Sequence, residues 1–80
     1  MSPEQVKDKL TQILRDVFDD ESLVADPELT ADDVDDWDSL NHIRLILTVE
    51  REFGIKFAAS ETTALKNVGE LLGLIQAKIS

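Results

Sequence analysis

Apolar residues recur every three or four positions in three separate stretches of the chain, and this spacing restricts the fold more than any other feature. Such spacing gathers apolar side chains on one face of an α-helix, whereas a strand would require alternation. No stretch alternates for long enough to build a sheet. Helix-start and helix-stop residues bound the three stretches, which are Pro3 to Phe18, Ser39 to about Phe53 before Gly54, and a last helix that opens after Asn67. Ser2 with Gln5 and Asn67 with Glu70 have the spacing of capping boxes at the first and the last helix.

These elements predict an all-α fold: a small bundle of three main helices plus one short helix near 60–65, with a long loop between helix one and helix two. The apolar set of the second helix is wider than a single stripe, so we expect that helix to contact neighbours on more than one side. Eighty residues allow one domain, spanning 1–80.

The segment 19–38 is acidic and irregular: ten of its twenty residues are Asp or Glu, and none is basic. Apolar residues recur within it, so we expect it to be held against the core at several points. Thr30 is placed to cap a single helical turn. A calcium loop requires oxygen ligands and a glycine at fixed positions, and registers starting at Asp33 or Asp36 both lack them, so no metal site is predicted.

The charge balance restricts the partners of the chain. Eight basic residues against seventeen acidic ones give a net charge of −9, which disfavours nucleic acid and anionic membranes and favours a partner with a basic patch. There is no cysteine, so any thiol chemistry has to come from a cofactor. The sequence shows neither a secretory signal pattern nor an apolar run long enough to cross a bilayer, and we predict a cytoplasmic monomer.

Ser39 lies where the acidic segment ends and the second helix begins. Either Asp38 or Ser39 could cap that helix. A phosphate ester on the Ser39 hydroxyl would be well tolerated there, because unpaired N–H groups and the positive end of the helix dipole are adjacent. His42 follows one turn later, which suggests a nucleophile and a base. Nothing in the sequence supplies an orienting residue or oxyanion donors, so we predict that the chain is not an enzyme and that His42 is a partly exposed helix residue.

An ordered set of motifs covers essentially the whole chain. Val34-Asp35-Asp36-Trp37-Asp38-Ser39-Leu40 follows the acidic loop, Glu50-Arg51-Glu52-Phe53-Gly54-Ile55 closes the second helix, and Val68-Gly69-Glu70-Leu71 opens the last one. At this spacing in a short acidic chain, the set resembles the acyl carrier protein family.

The resemblance implies that Ser39 bears 4′-phosphopantetheine, transferred from coenzyme A by a phosphopantetheinyl transferase (a holo-carrier synthase). The cofactor then carries acyl groups as thioesters between acyl-loading and acyl-transferring enzymes. The residues implied in the motif and in partner recognition are Asp38, Leu40, His42, Arg44, Glu50 and Arg51. A pocket for the acyl chain is implied at Leu45, Ile46, Val49, Ile55 and Leu65, although plain core packing explains these residues equally well.

One departure from the family pattern concerns the second helix. In fatty-acid carriers its exposed face is typically acidic and docks the transferase and synthase enzymes, whereas here it carries His42, Arg44 and Arg51. This favours a stand-alone carrier of a specialised pathway, such as polyketide, modified-lipid or aminoacyl transfer, over the general fatty-acid carrier. The pathway itself stays open between fatty-acid, polyketide and specialised lipid or secondary-metabolite synthesis. Two alternatives remain: an aminoacyl or peptidyl carrier, and an unmodified acidic module that docks onto a basic partner.

Overall fold

The computed structural model describes residues 2–34 and 36–79, and this part of the chain contains helices and no strand. The helices are α1 (Pro3–Phe18), α2 (Ser39–Phe53), α3 (Ala59–Thr63) and α4 (Val68–Ile79), with a short 3₁₀ turn at Ala31–Asp33 in the loop between α1 and α2. The predicted all-α bundle of three main helices and one short helix is confirmed. Asp35, which belongs to the motif before Ser39, lies outside the described residues.

Local side-chain chemistry explains where α1 and α2 begin and end. At the start of α1, Ser2 Oγ accepts from the Gln5 N–H at 3.2 Å and the Ser2 N–H donates to Gln5 Oε1 at 2.9 Å, which completes the predicted capping box. Gly54 ends α2 with φ 66°, a left-handed conformation that glycine adopts without steric cost. Asp19 ends α1 in the same region with φ 50°.

The core lies between α1, α2 and α4, and α1 contacts both of the other long helices. Burial of these side chains supplies most of the stability of the fold. The buried apolar residues are Val6, Leu10, Ile13, Leu14 and Phe18 from α1, Leu23, Ala25 and Val34 from the loop, Leu45, Ile46 and Val49 from α2, and Val68, Leu71 and Ile75 from α4.

Hydrogen bonds hold the first half of the acidic loop against α1. The buried Thr11 Oγ1 accepts from the Ala25 N–H at 2.9 Å, and Arg15 Nε donates to the Leu23 carbonyl at 2.8 Å. The loop is therefore held in place even though it has little regular structure, as its recurring apolar residues predicted.

The second half of the loop is held by the start of α4. The Val68 N–H donates to the Leu29 carbonyl at 2.8 Å, and the Gly69 N–H donates to the Pro27 carbonyl at 3.0 Å. A Cβ atom at Gly69 would lie 2.9 Å from that Pro27 oxygen, so this close approach requires glycine.

Two local predictions need correction. The helical turn predicted after Thr30 is present and Thr30 is its N-cap residue, but the Thr30 hydroxyl does not accept a capping bond: it donates to Asp33 Oδ2 at 3.1 Å, and the Thr30 N–H donates to the same oxygen at 3.0 Å. A carboxylate accepts hydrogen bonds more strongly than a hydroxyl does, so the Thr30 hydroxyl is the donor in its bond to Asp33.

The expectation that α2 contacts neighbours on more than one side is met only in part: α2 contacts α1, the loop and the end of α3, but part of its apolar set stays exposed. Its face bearing Leu45, Ile46 and Val49 is buried, whereas Leu40, Ile43 and Leu47 are 68%, 56% and 59% exposed. All three side chains of this second apolar face are therefore more than half accessible in the described part of the chain.

Candidate functional site

Ser39 is the first residue of α2, and its side chain is exposed. Asp38 is the residue that caps the helix, since its Oδ1 accepts from the Asn41 N–H at 2.8 Å. Asn41 Nδ2 in turn donates to the Asp36 carbonyl at 2.6 Å, which fixes the backbone just before Ser39. Within residues 2–34 and 36–79, the Ser39 hydroxyl has no hydrogen-bond partner, so it is free to be modified.

A groove of about 630 Å³ opens beside Ser39, which forms part of its lining. The volume lies within the range of small-molecule sites, about 300–1,000 Å³. Apolar side chains form much of its wall, and Lys66 contributes a positive charge at the side formed by the segment between α3 and α4. The apolar lining residues are Ala31, Trp37, Ile43, Leu65 and Leu71.

His42 is half-buried in the wall of this groove and links α2 to two other segments. Its Nδ1 accepts from Trp37 Nε1 at 3.1 Å, and its Nε2 lies 3.2 Å from the Thr62 carbonyl oxygen. Both contacts are satisfied together by the neutral tautomer with the proton on Nε2. The Trp37 ring also packs on Phe18, with ring centroids 5.4 Å apart. His42 therefore ties the loop and the end of α3 to α2.

This hydrogen bonding bears on the suggested pairing of Ser39 with His42. Both ring nitrogens of His42 are engaged by Trp37 and Thr62, so neither is available as a base for the Ser39 hydroxyl. The prediction that His42 is a partly exposed helix residue agrees with its intermediate burial.

The five predicted acyl-pocket residues lie in two environments. Leu45, Ile46 and Val49 are buried in the core, and Ile55 and Leu65 are half-buried against it. Of these five residues, only Leu65 lines the groove. Their role in holding cargo stays a prediction, and in this structure they pack the core.

The predicted recognition residues on α2 also divide into two groups. Leu40, Arg44 and Arg51 are exposed. Glu50 is half-buried and its Oε2 accepts from the Phe57 N–H at 2.7 Å, which ties the segment after α2 back to that helix. Recognition roles for these residues stay predictions.

Sequence reasoning did not identify the far wall of the groove. This wall is formed by Ala31 from the loop, Thr62 from the end of α3, Lys66 from the segment between α3 and α4, and Leu71 from α4. Nothing in their spacing indicates a shared site, because they are distant in sequence and meet only when the helices pack.

Few carboxylates of the described chain are paired with a cation. Among the described residues, one ion pair forms, between Lys78 Nζ and Glu61 Oε1 at 3.1 Å. The Ala58 N–H and Lys78 lower the pKa of Glu61 below its ordinary value. Bonds from the side chain and backbone of Ser22 similarly lower the pKa of Asp20. In the part of the chain that the structure describes, no group of acidic or histidine side chains is arranged to hold a metal ion.

The fold and site together define a small helical carrier module: an exposed, unengaged hydroxyl at a helix start beside an apolar groove. No protein-family model and no curated protein matches the chain. It is similar to the solution NMR structure of holo acyl carrier protein from Geobacter metallireducens, with 49% identity and a TM-score of 0.87 over 92% of this chain and 85% of that one.

This likeness extends over nearly the whole chain, and the chain therefore belongs to the acyl carrier protein family, as its motifs predicted. None of the helices in 2–34 and 36–79 is long and apolar enough to span a membrane.

Proposed function

We propose that this chain carries acyl thioesters on 4′-phosphopantetheine attached to Ser39 Oγ and presents them to partner enzymes. The observation that carries the proposal is the geometry of Ser39: its hydroxyl is exposed, has no described hydrogen-bond partner and stands beside the groove at the start of α2. The family provides the second support, because the similar structure is the holo form of an acyl carrier protein.

The residues around Ser39 fit the cofactor. A phosphodiester is an anion, and the backbone N–H groups of Ser39 and Leu40, in the first turn of α2, have no described hydrogen-bond acceptor. Asp38 already uses a carboxylate oxygen on the Asn41 N–H, so the cap does not occupy these two donors. When bound, 4′-phosphopantetheine supplies the thiol that a chain without cysteine lacks.

The chain itself acts as a carrier and not as an enzyme. The only histidine, His42, is held by Trp37 and Thr62, so the base for attachment has to come from a phosphopantetheinyl transferase. Acyl-loading and acyl-transferring enzymes are the further partners. The single domain, the monomeric state and the cytoplasmic location stay predictions.

The pathway we propose is a specialised one, polyketide or modified-lipid synthesis, ahead of general fatty-acid synthesis. The exposed Arg44 and Arg51 support this, since they give α2 a charge unlike the acidic helix typical of fatty-acid carriers. Aminoacyl transfer is the competing cargo class.

Intact mass spectrometry tests the attachment. The chain is incubated with coenzyme A, magnesium and a broad-specificity phosphopantetheinyl transferase. We expect a gain of one phosphopantetheine that fragmentation localises to Ser39, no gain for Ser39→Ala, and a normal gain for the matched control Ser60→Ala on α3. Circular dichroism should show the same helicity in all three chains, because the Ser39 side chain makes no described contact that supports the helix.

Loading of Ser39→Ala would refute the assignment of the site. If the wild-type chain gains no mass with this enzyme or with a transferase from its own genome, the unmodified interaction module becomes the better hypothesis.

A further inference from the structure

The second apolar face of α2 forms a surface that the fold leaves uncovered. Leu40, Ile43 and Leu47 are the exposed members, each more than half accessible. Arg44 lies one turn after Leu40, and Arg51 lies one turn after Leu47. We call these five residues the leucine–arginine face.

Burying the three apolar side chains of this face would be favourable for any partner that fits them. Exposed apolar residues gathered on one helix face mark an interaction site more often than scattered ones do. Val24, in the loop, is the other large apolar residue that is substantially exposed in the described chain, and it is not part of this face.

The charge of the leucine–arginine face is opposite to that of the whole protein. Arg44 and Arg51 are both exposed, and neither forms an ion pair among the described residues. The Arg44 guanidinium makes one neutral contact, from Nη1 to Asn41 Oδ1 at 3.1 Å. Two cations therefore lie within an apolar surface on a chain whose net charge is −9.

The carboxylates of α2 form no ion pair with these arginines among the described residues. Glu50 has one oxygen engaged by the Phe57 N–H at 2.7 Å. Glu52 is five positions after Leu47, which places it about 140° around the helix. The carboxylates of Asp36 and Asp38 precede the helix, at the Ser39 end. From Arg44 onward α2 therefore carries two arginines and two glutamates, and both arginines lie on the leucine–arginine face.

We propose that the leucine–arginine face docks an enzyme whose binding surface is an apolar pocket edged with carboxylates. The proposal rests on the proposed carrier function and names the chemistry of its partner. A basic partner surface would place its cations against Arg44 and Arg51, whereas carboxylates there gain two charge-assisted hydrogen-bonding partners. The overall net charge pointed to basic partners, and the charge on this face reverses that expectation for α2.

Photo-crosslinking identifies the occupant. A photoreactive amino acid replaces Leu47 in the full chain, expressed in its source organism, and the matched control carries it at the exposed Gln12 on α1. We expect an adduct with an acyl-loading or acyl-transferring enzyme from Leu47 only, at a surface where Asp and Glu surround apolar residues. An adduct on a Lys- or Arg-rich surface overturns the proposal, as does an adduct with a second copy of this chain or none specific to Leu47.

Binding of the purified enzyme to the holo protein then tests the charges. We expect the double variant Arg44→Glu with Arg51→Glu to weaken binding by about tenfold or more at low salt. The double variant Arg44→Lys with Arg51→Lys keeps both charges and should bind within about threefold of wild type. Lys7→Glu on α1 makes a charge reversal away from the face and should leave binding unchanged. If the double reversal disturbs the helix, the double variant Arg44→Gln with Arg51→Gln removes the same two charges without reversing them and should also weaken binding. Equal or tighter binding of the glutamate pair overturns the proposal.

Intact mass separates this proposal from the carrier function. A protein that gains phosphopantetheine but whose binding ignores the arginines refutes the docking proposal alone. A wild-type chain that gains none refutes the carrier function, whatever the arginines do.

Discussion

Removal of the His42 imidazole should destabilise the fold by about 2 kcal/mol. The ring accepts from Trp37 Nε1 at 3.1 Å and contacts the Thr62 carbonyl oxygen at 3.2 Å. Each net hydrogen bond contributes about 0.5–1.5 kcal/mol, so the pair contributes about 2 kcal/mol. A chain of this size has a total unfolding free energy of about 4–12 kcal/mol, so the loss is a large fraction.

The assay is urea unfolding followed by circular dichroism. With an m-value of about 1 kcal/mol per molar urea, His42→Phe should move the unfolding midpoint down by about 2 M. Phenylalanine keeps a ring next to Trp37, so the change isolates the hydrogen bonds from the packing. Gln12→Ala, an exposed change on α1, serves as the matched control and should stay within about 0.5 kcal/mol of wild type.

A double-mutant cycle separates the two bonds of His42. Trp37→Phe removes the donor to Nδ1 and also shrinks the ring that packs on Phe18. The cycle cancels the part of this loss that does not involve His42, so combined with His42→Phe it should give a coupling energy of about 1 kcal/mol. A loss below about 0.5 kcal/mol for His42→Phe, together with a coupling near zero, would refute the reasoning. His42 would then be an ordinary helix residue, and the wall of the groove would be held by apolar packing alone.

Three further changes test other features. Asp19→Gly should raise the melting temperature by several degrees, because Asp19 has φ 50°, a left-handed conformation that costs an L-residue about 1–2 kcal/mol and that glycine adopts freely; a lower temperature than wild type would contradict this. Millimolar magnesium should raise the melting temperature more than sodium chloride of equal ionic strength, since the loop carboxylates have no described ion pairs; identical curves would mean that these charges are too dispersed to repel. The Ala58 N–H and Lys78 lower the pKa of Glu61 in the folded protein. The ionised Glu61 carboxylate therefore stabilises the fold above the pKa that Glu61 has in the unfolded chain, and this stabilisation is lost as the pH falls through its pKa in the folded protein. Wild type should therefore exceed Glu61→Gln in stability near neutral pH, and the difference should vanish once the pH falls below the lowered pKa of Glu61; a pH-independent difference would exclude the ionised carboxylate as the cause.

The helices could be predicted from the sequence because their signals are local. Ser2 and Gln5 cap α1 through a bond that spans a single turn, and Gly54 ends α2 through its own backbone freedom. The last helix is a partial case: Asn67 Oδ1 accepts from the Glu70 N–H at 2.8 Å as predicted, but Glu70 Oε1 reaches back to the Lys66 N–H at 3.1 Å and not to Asn67. Which of two neighbouring donors a side chain meets depends on the path of the preceding backbone.

The sequence by itself determined the helices, the position of Ser39 at a helix start and the family, since each depends on residues close together or on an ordered motif. Only the tertiary structure decided which apolar residues of α2 are buried, which side chains line the groove and what His42 binds. Leu45 and Leu47 have the same side chain two positions apart, yet one is 0% and the other 59% exposed. The physical reason is that helical periodicity gives the angle between side chains, whereas burial depends on the side from which α1 packs against α2.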